Sequence, residues 1–158
     1  MAFIYYVTQI QFDFGAIQLL KQECSRVGIT RPLVVTDPGV RAAGVLQKAL
    51  DNLAGMPVTV FDQTPSNPTE AAVRAAAAMY KAQGCDGLIA VGGGSAIDCA
   101  KGVAIAATHD GALTHYATIE GGSVRITDRA APLIAVPTTS GTGREVARGA
   151  IITVDDHR

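Results

Sequence analysis

Short apolar runs alternate with helix-length segments along most of this chain of 158 residues. Five apolar runs are predicted to be strands, at residues 32–36, 58–61, 87–91, 132–136 and 150–154. Helices are predicted between or before them, at residues 17–27, 40–53, 70–83 and 95–107. Strand–helix–strand alternation is typical of parallel strands joined by right-handed helical crossovers. The pattern therefore predicts an α/β fold.

The predicted architecture is one domain over residues 1–158, a Rossmann-like parallel sheet flanked by helices. In such sheets, ligands bind beyond the carboxyl ends of the strands. Turns follow Thr36, Phe61, Val91 and Val136, each of which ends a predicted strand. We expect these turns to converge on one crevice, although the pattern does not determine the order of the strands.

Charge and composition argue against several classes of protein. A net charge of -1, without a run of Lys or Arg, gives no support for nucleic-acid binding. No apolar run approaches membrane-spanning length, and the short apolar start lacks the basic residues of a secretory signal. The 3 cysteines are odd in number and form no close pair. They predict reduced thiols packed as small apolar groups in a cytoplasmic protein.

A glycine turn, Gly92-Gly93-Gly94-Ser95, separates a predicted strand from a predicted helix. Glycine lets the backbone approach a ligand closely, and a helix begins with unpaired N–H groups that suit a phosphate. We predict that Ser95 is the N-cap of this helix, with Asp98 three positions on, as in a capping box. The turn is therefore a candidate phosphate site.

Neither common phosphate-binding fingerprint applies to this turn. Ile97 stands where the dinucleotide motif G-x-G-x-x-G requires glycine, and the Gly-Lys-Ser/Thr of a P-loop is absent. A tight turn with a capped helix and no ligand remains the alternative interpretation.

Polar residues also follow the other predicted strands. Asp37 can accept hydrogen bonds from an adenosine ribose and would repel a 2′-phosphate, or it can cap the next helix. Asn67, between two prolines, can contact an adenine edge or stabilise its own turn. Residues 137–143 carry four hydroxyls and two glycines, which would line the same crevice or form a solvated turn.

The sequence gives no metal site and no catalytic set. His109, His115 and His157 are too few and too scattered for a zinc site and are predicted to be surface or packing residues. Glu145 and its neighbouring arginines predict a local ion pair. No nucleophile with a base and an orienting group is found, so the catalytic residues are unknown.

Taken together, the motifs resemble the iron-containing, or group III, alcohol dehydrogenases. Four segments carry the resemblance, in family order: Val-Thr-Asp-Pro-Gly at 35–39, Asn-Pro-Thr at 67–69, Gly-Gly-Gly-Ser-Ala-Ile-Asp-Cys-Ala-Lys at 92–101 and Pro-Thr-Thr-Ser-Gly-Thr-Gly-Arg-Glu-Val at 137–146. The resemblance implies an α/β cofactor domain followed by a helical metal domain. It also implies interconversion of alcohols with aldehydes or ketones, using NAD(H) or NADP(H).

The resemblance assigns cofactor-binding roles to ten positions. Asp37 would meet the adenosine ribose, which favours NAD over NADP, and Asn67 would lie near the adenine. The diphosphate region would be held by Gly93, Gly94, Ser95 and Asp98. The cofactor cleft would be lined by Thr138, Thr139 and Thr142, with Ile151 at a strand position that also approaches the cofactor.

The metal is where the chain departs from the family. The resemblance implies a divalent iron or zinc held by one Asp and three His on the helical domain, and none of these ligands can be assigned here. We therefore expect the metal only in a full-length enzyme, and we expect this chain alone to bind NAD weakly without turnover. A smaller departure is Arg144, where a small residue such as Ser is common.

Two other interpretations remain open from the sequence. The chain could be a fragment related to glycerol dehydrogenase and dehydroquinate synthase, which share the glycine turn, although residues 137–146 fit the iron-type branch better. It could also be a non-enzymatic nucleotide-binding module. In the dehydrogenase interpretation the partners are the dinucleotide and a small alcohol or carbonyl substrate, and self-association into a homo-oligomer is left open.

Overall fold

The structure is a computed structural model that describes residues 8–154. Its strands are β1 (Pro32–Val35), β2 (Thr59–Phe61), β3 (Gly87–Gly92) and β4 (Leu133–Pro137). Its α-helices are α1 (Leu20–Arg26), α2 (Pro38–Ala42), α3 (Val45–Asp51), α4 (Glu70–Ala82) and α5 (Gly94–Ala106). Short 3-10 helices lie at Ala16–Leu19, Leu113–Tyr116, Thr118–Glu120 and Gly122–Arg125.

The four strands form one parallel sheet in the order β2-β1-β3-β4. Leu33 of β1 pairs with Leu88 of β3, and Ala90 of β3 pairs with Ala135 of β4. β2 therefore lies on one side of β1, and β3 and β4 lie on the other side. This reversal opens a crevice at the carboxyl ends of β1 and β3, which is where open α/β sheets bind ligands. The predicted Rossmann-like α/β fold is confirmed.

Alternate residues of the strands bury two cores, one on each face of the sheet. Leu33 and Leu88 pack with α4 and α5, whereas Val34 and Ile89 pack with α1 and α3. These four side chains have no exposed surface, and burying each one contributes about 1.5–3 kcal/mol. Burial on both faces explains why β1 and β3 are continuous apolar runs rather than alternating ones.

Two predicted elements differ from the structure. The single helix predicted over residues 40–53 is two helices, because Gly44 adopts the left-handed conformation at φ 72° and ends the first of them. The strand predicted over residues 150–154 is an extended segment with one isolated parallel bridge, between Thr69 and Thr153. Thr153 N donates to Pro68 O at 2.8 Å, so this segment pairs with a loop rather than with the sheet.

The irregular region predicted at residues 111–129 is built from 3-10 turns around a buried histidine. His109 Nε2 accepts a hydrogen bond from Thr127 N at 3.0 Å, and its ring packs edge-on against Tyr116. It is therefore a packing residue, as predicted. Within residues 8–154, no helix is long and apolar enough to cross a membrane.

Candidate functional site

A cleft of about 630 Å³ opens at the carboxyl ends of β1, β2, β3 and β4, a size within the usual range for small-molecule sites. Six of the ten predicted cofactor-binding residues line it: Asp37, Gly93, Gly94, Ser95, Thr138 and Thr139. The turns that were expected to converge on one crevice therefore do so.

The glycine turn forms the floor of this cleft and begins α5. Gly93 is the N-cap, with extended backbone at φ -78° and ψ -167°, and no side chain caps the helix. The prediction that Ser95 is the N-cap is therefore wrong, because the N-cap of α5 is two residues earlier, at Gly93. Gly94 and Ser95 of the first turn line the cleft, and without a side-chain cap the partial positive charge of the helix start is available to an anion there.

The space around the turn admits no larger residue without displacement of its neighbours. A β-carbon at Gly93 would lie 3.1 Å from Thr139 Oγ1, and one at Gly94 would lie 3.2 Å from Arg144 Cγ. A β-carbon at Gly92 would lie 3.3 Å from Asp37 Oδ2. Gly93 and Gly94 line the cleft, so at these two positions main chain rather than a side chain would meet a ligand, which is the shape required by a phosphate bound to main-chain amides.

Ser95 joins the glycine turn to the loop after β2. Its Oγ accepts a hydrogen bond from Asn67 N at 3.2 Å. Asn67 is exposed, and its φ is positive, at 55°. Within residues 8–154, no other non-glycine residue has a positive φ. Asn67 itself is not among the residues that line the cleft, although its neighbours Pro65 and Ser66 are.

Asp37 has a structural role that the sequence offered as an alternative. Its Oδ1 accepts a hydrogen bond from Val40 N at 2.9 Å and so caps α2. The residue is half-buried, and its carboxylate borders the cleft beside Gly92. Capping and ribose binding are compatible, since a carboxylate has about four acceptor positions.

Thr64 is a cleft residue that the sequence analysis missed. It is 2% exposed, lines the cleft, and its Oγ1 has no hydrogen-bond partner within the described residues. Its hydroxyl lies by the Cys99 thiol, and burial raises the pKa of that thiol to about 11 although Thr64 lowers it. A thiol is a weak partner, so the hydroxyl retains capacity for a ligand. The only sequence signal was its place in the turn after β2.

Asp98 lies behind the glycine turn rather than in the cleft. Its side chain is buried, and Oδ2 is 3.3 Å from Arg144 Nε. Lys101, one turn further along α5, donates to the carbonyls of Arg144, Ala147 and Gly149. These contacts fix residues 144–149 against α5, and the local pair predicted for Glu145 with an arginine is not formed.

Thr142 and Ile151 lie outside the lining of the cleft. Thr142 is beside Gly94, with its Cβ 3.6 Å from a β-carbon at that position, and its Oγ1 donates to Glu145 Oε2 at 3.4 Å. Ile151 is 62% exposed, and its neighbour Ile152 packs on α5 instead. The structure therefore brings Thr142 to the edge of the site and leaves Ile151 apart from it.

Comparison with known proteins places this geometry in a family. A sequence profile for iron-containing alcohol dehydrogenases matches residues 7–158. The chain belongs to the iron-containing alcohol dehydrogenase family. The family implies NAD(H) and a metal.

Individual members of the iron-containing alcohol dehydrogenase family are similar over nearly the whole chain. It is 73% identical to a 4-hydroxybutyrate dehydrogenase of Cupriavidus necator over 158 residues, which are all of this chain and 41% of that protein. A solved 1,3-propanediol oxidoreductase is 39% identical with a TM-score of 0.81, over 89% of this chain and 36% of its own. The chain thus spans less than half the length of these relatives.

A third comparison adds a bound cofactor. A sulfoacetaldehyde reductase from Bifidobacterium kashiwanohense, solved in complex with NAD+, is 26% identical with a TM-score of 0.81. The match covers 98% of this chain and 46% of that one.

The family metal has no site among the described residues. Residues 8–154 contain no group of three or more His, Cys, Asp or Glu side chains placed to hold a metal ion. His109 is engaged in packing, and His157 lies outside the described residues. The residues present therefore fit a dinucleotide but do not fit the iron or zinc of an alcohol dehydrogenase.

Proposed function

We propose that this chain is the cofactor-binding part of an NAD(P)-dependent, metal-dependent alcohol dehydrogenase that interconverts alcohols with aldehydes or ketones. The observation that carries the proposal is the uncapped start of α5, open to a cleft of about 630 Å³ at the reversal point of the sheet. The buried hydroxyl of Thr64 in the same cleft, which has only the Cys99 thiol beside it, is a second feature that a polar ligand would satisfy.

The cofactor supplies hydride exchange when it is bound, and the residues of this chain hold it in place. In our proposal, the N–H groups of Gly94 and Ser95 bind the diphosphate. Asp37 accepts from the adenosine ribose, and Thr138 and Thr139 donate hydroxyls from beside the glycine turn. Asn67, which does not line the cleft, is placed near the adenine only through its hydrogen bond to Ser95. We assign Asp98 and Thr142 to the surroundings of the bound cofactor rather than to direct contact, and we assign Ile151 no contact, since none of the three lines the cleft.

We propose NAD rather than NADP as the cofactor, because the Asp37 carboxylate borders the cleft. A carboxylate accepts hydrogen bonds from ribose hydroxyls and repels a 2′-phosphate. We further propose that the metal belongs to another part of a longer enzyme, because this chain spans 41% of its 73% identical relative. The alcohol substrate would be bound largely by that other part.

The experiment is a calorimetric titration of NADH and NADPH into this chain, with folding checked by circular dichroism. We expect weak binding of NADH with one site per chain, and weaker binding of NADPH. Absence of heat from a folded chain would contradict the proposed cofactor site. Metal-dependent oxidation of an alcohol by this chain alone would contradict the assignment of the metal to another part of the enzyme.

A further inference from the structure

Arg144 lies where the first turn of α5 meets the loop after β4. Its Cγ is 3.2 Å from the β-carbon position of Gly94, and its Nε is 3.3 Å from Asp98 Oδ2. The Arg144 side chain is 29% exposed, whereas that of Asp98 is 5% exposed. Apart from this ion pair with Asp98, the guanidinium has no hydrogen-bond partner in the described part of the chain. Its remaining N–H donors are therefore available to a ligand.

The three glycines of the turn have different neighbours, and Arg144 lies at the edge of the cleft rather than among its lining residues. Asp37 is beside Gly92, Thr139 is beside Gly93, and Arg144 is beside Gly94. In the proposed cofactor orientation, Asp37 marks the adenosine end. Arg144 therefore lies at the diphosphate or beyond it, away from the ribose that Asp37 would bind.

Arg144 also sets the charge of a small cluster at this point. Asp98 and Glu145 carry negative charge, and Lys101 and Arg144 carry positive charge, so the cluster is neutral. Burial lowers the pKa of Lys101, while Asp98 raises it. With an uncharged residue in place of Arg144, the cluster would have one net negative charge beside the proposed anion site. Asp98, with Oδ1 already unpartnered, would then repel a phosphate.

We infer that Arg144 is a determinant of cofactor affinity in this chain, binding the diphosphate with its free donors and cancelling the charge of Asp98. This inference rests on the proposed function. It accounts for a cation at a position where the family resemblance leads one to expect a small residue such as Ser. It also predicts opposite effects of Arg144 and Asp98 on binding, which a purely structural ion pair would not produce.

The test uses ADP and adenosine as probes, which share a nucleoside and differ in the diphosphate. Both are titrated calorimetrically into the unmodified chain and into the variants R144S, D98N and D98N/R144S, at low salt. Charge-assisted contacts predict that R144S weakens ADP binding about five- to tenfold. D98N should leave ADP binding equal or tighter, and the double variant should recover most of the loss. Adenosine binding should be unchanged throughout.

Three results would overturn the inference. Equal ADP affinity of R144S and the unmodified chain would remove any role of the arginine in binding. Parallel losses in R144S and D98N, or a matching loss of adenosine binding, would assign the pair to structure alone. Failure of the unmodified chain to bind ADP while folded would instead overturn the proposed function, and the inference with it.

Discussion

The backbone N–H of Asn67 donates to Ser95 Oγ at 3.2 Å, and this hydrogen bond links the loop after β2 to the first turn of α5. The two residues are 28 positions apart in the chain. The contact places two walls of the cleft in a fixed relation, because the loop carries Thr64 and the first turn carries the proposed diphosphate amides.

Replacement of Ser95 by Ala should weaken cofactor binding more than it weakens the fold. The hydrogen bond to Asn67 is exposed, so its loss should change the free energy of unfolding by about 1 kcal/mol or less. The loop would lose its tether, and the site would lose one hydroxyl. NADH titration and urea unfolding measure the two effects. Ser123→Ala, at an exposed serine outside the cleft, is the control, and equal NADH affinities in the two variants would contradict the role of Ser95.

Replacement of Gly93 by Val should abolish most cofactor binding while the chain still folds. The backbone of Gly93 is extended, so a branched residue is tolerated there, but its side chain would enter the cleft beside Thr139. We expect at least a roughly tenfold loss of NADH affinity, since the backbone could no longer approach the diphosphate. Gly149→Val is the matched control, because a β-carbon at Gly149 meets nothing within 4 Å. Retained NADH binding in G93V would contradict the proposed site.

Asp86 should make the stability of the fold sensitive to acid. Burial alone would raise the pKa of Asp86, but hydrogen bonds from Thr30 and from the N–H of Arg31 together lower it below its ordinary value. A lowered folded-state pKa contributes stability above the unfolded-state pKa of about 3.9, and this contribution is lost as the pH falls through the folded-state value.

The D86N variant should therefore be less stable than the unmodified chain at neutral pH, and the difference should shrink as the pH falls below about 4. Urea midpoints measured from pH 7 to pH 3 check this. Asp128, which is exposed, provides the control D128N. A difference that is independent of pH would show that the Asp86 charge does not support the start of β1.

The cysteines should be poorly reactive in the folded chain. Cys24 and Cys99 have no exposed surface, and burial raises the pKa of Cys24 and raises that of Cys99 to about 11. Their thiolate fraction at pH 8 is therefore very small. With an aromatic disulfide reagent, we expect Cys85, which is half-buried, to react first and the other two only after unfolding. Reaction of all three at the denatured rate would contradict this packing.

The fold was predictable from the sequence where periodicity alone decides it. Continuous apolar runs marked β1 and β3, because both faces of these strands are covered. A similar apolar run at residues 150–154 predicted a strand that the structure does not have. An apolar segment can pack on α5 through Ile152 without joining the sheet. The strand order could not be predicted, since alternation specifies parallel crossovers but not the side of β1 on which each new strand is added.

The candidate site was predictable only in part, because several of its contacts join distant residues. The spacing of Ser95 and Asp98 predicted a capping box, but the backbone of Gly93 takes the N-cap position and Ser95 bonds to Asn67 instead. No local pattern pairs Asp98 with Arg144, and none marks Thr64 as a buried hydroxyl in the cleft. Such contacts depend on the assembled sheet, which brings the strand ends together.

The central claim is that NAD binds at the glycine turn, and amide chemical-shift mapping by NMR tests it most directly. NADH is titrated into the 15N-labelled chain, and the shifts are assigned residue by residue. We predict the largest shifts at Gly93, Gly94, Ser95 and Thr139, and negligible shifts over Thr118–Glu120. Two results would contradict NAD binding at the glycine turn: shifts concentrated around Thr118–Glu120, or no shifts in a folded chain at millimolar NADH. A millimolar dissociation constant corresponds to about 4 kcal/mol of binding free energy.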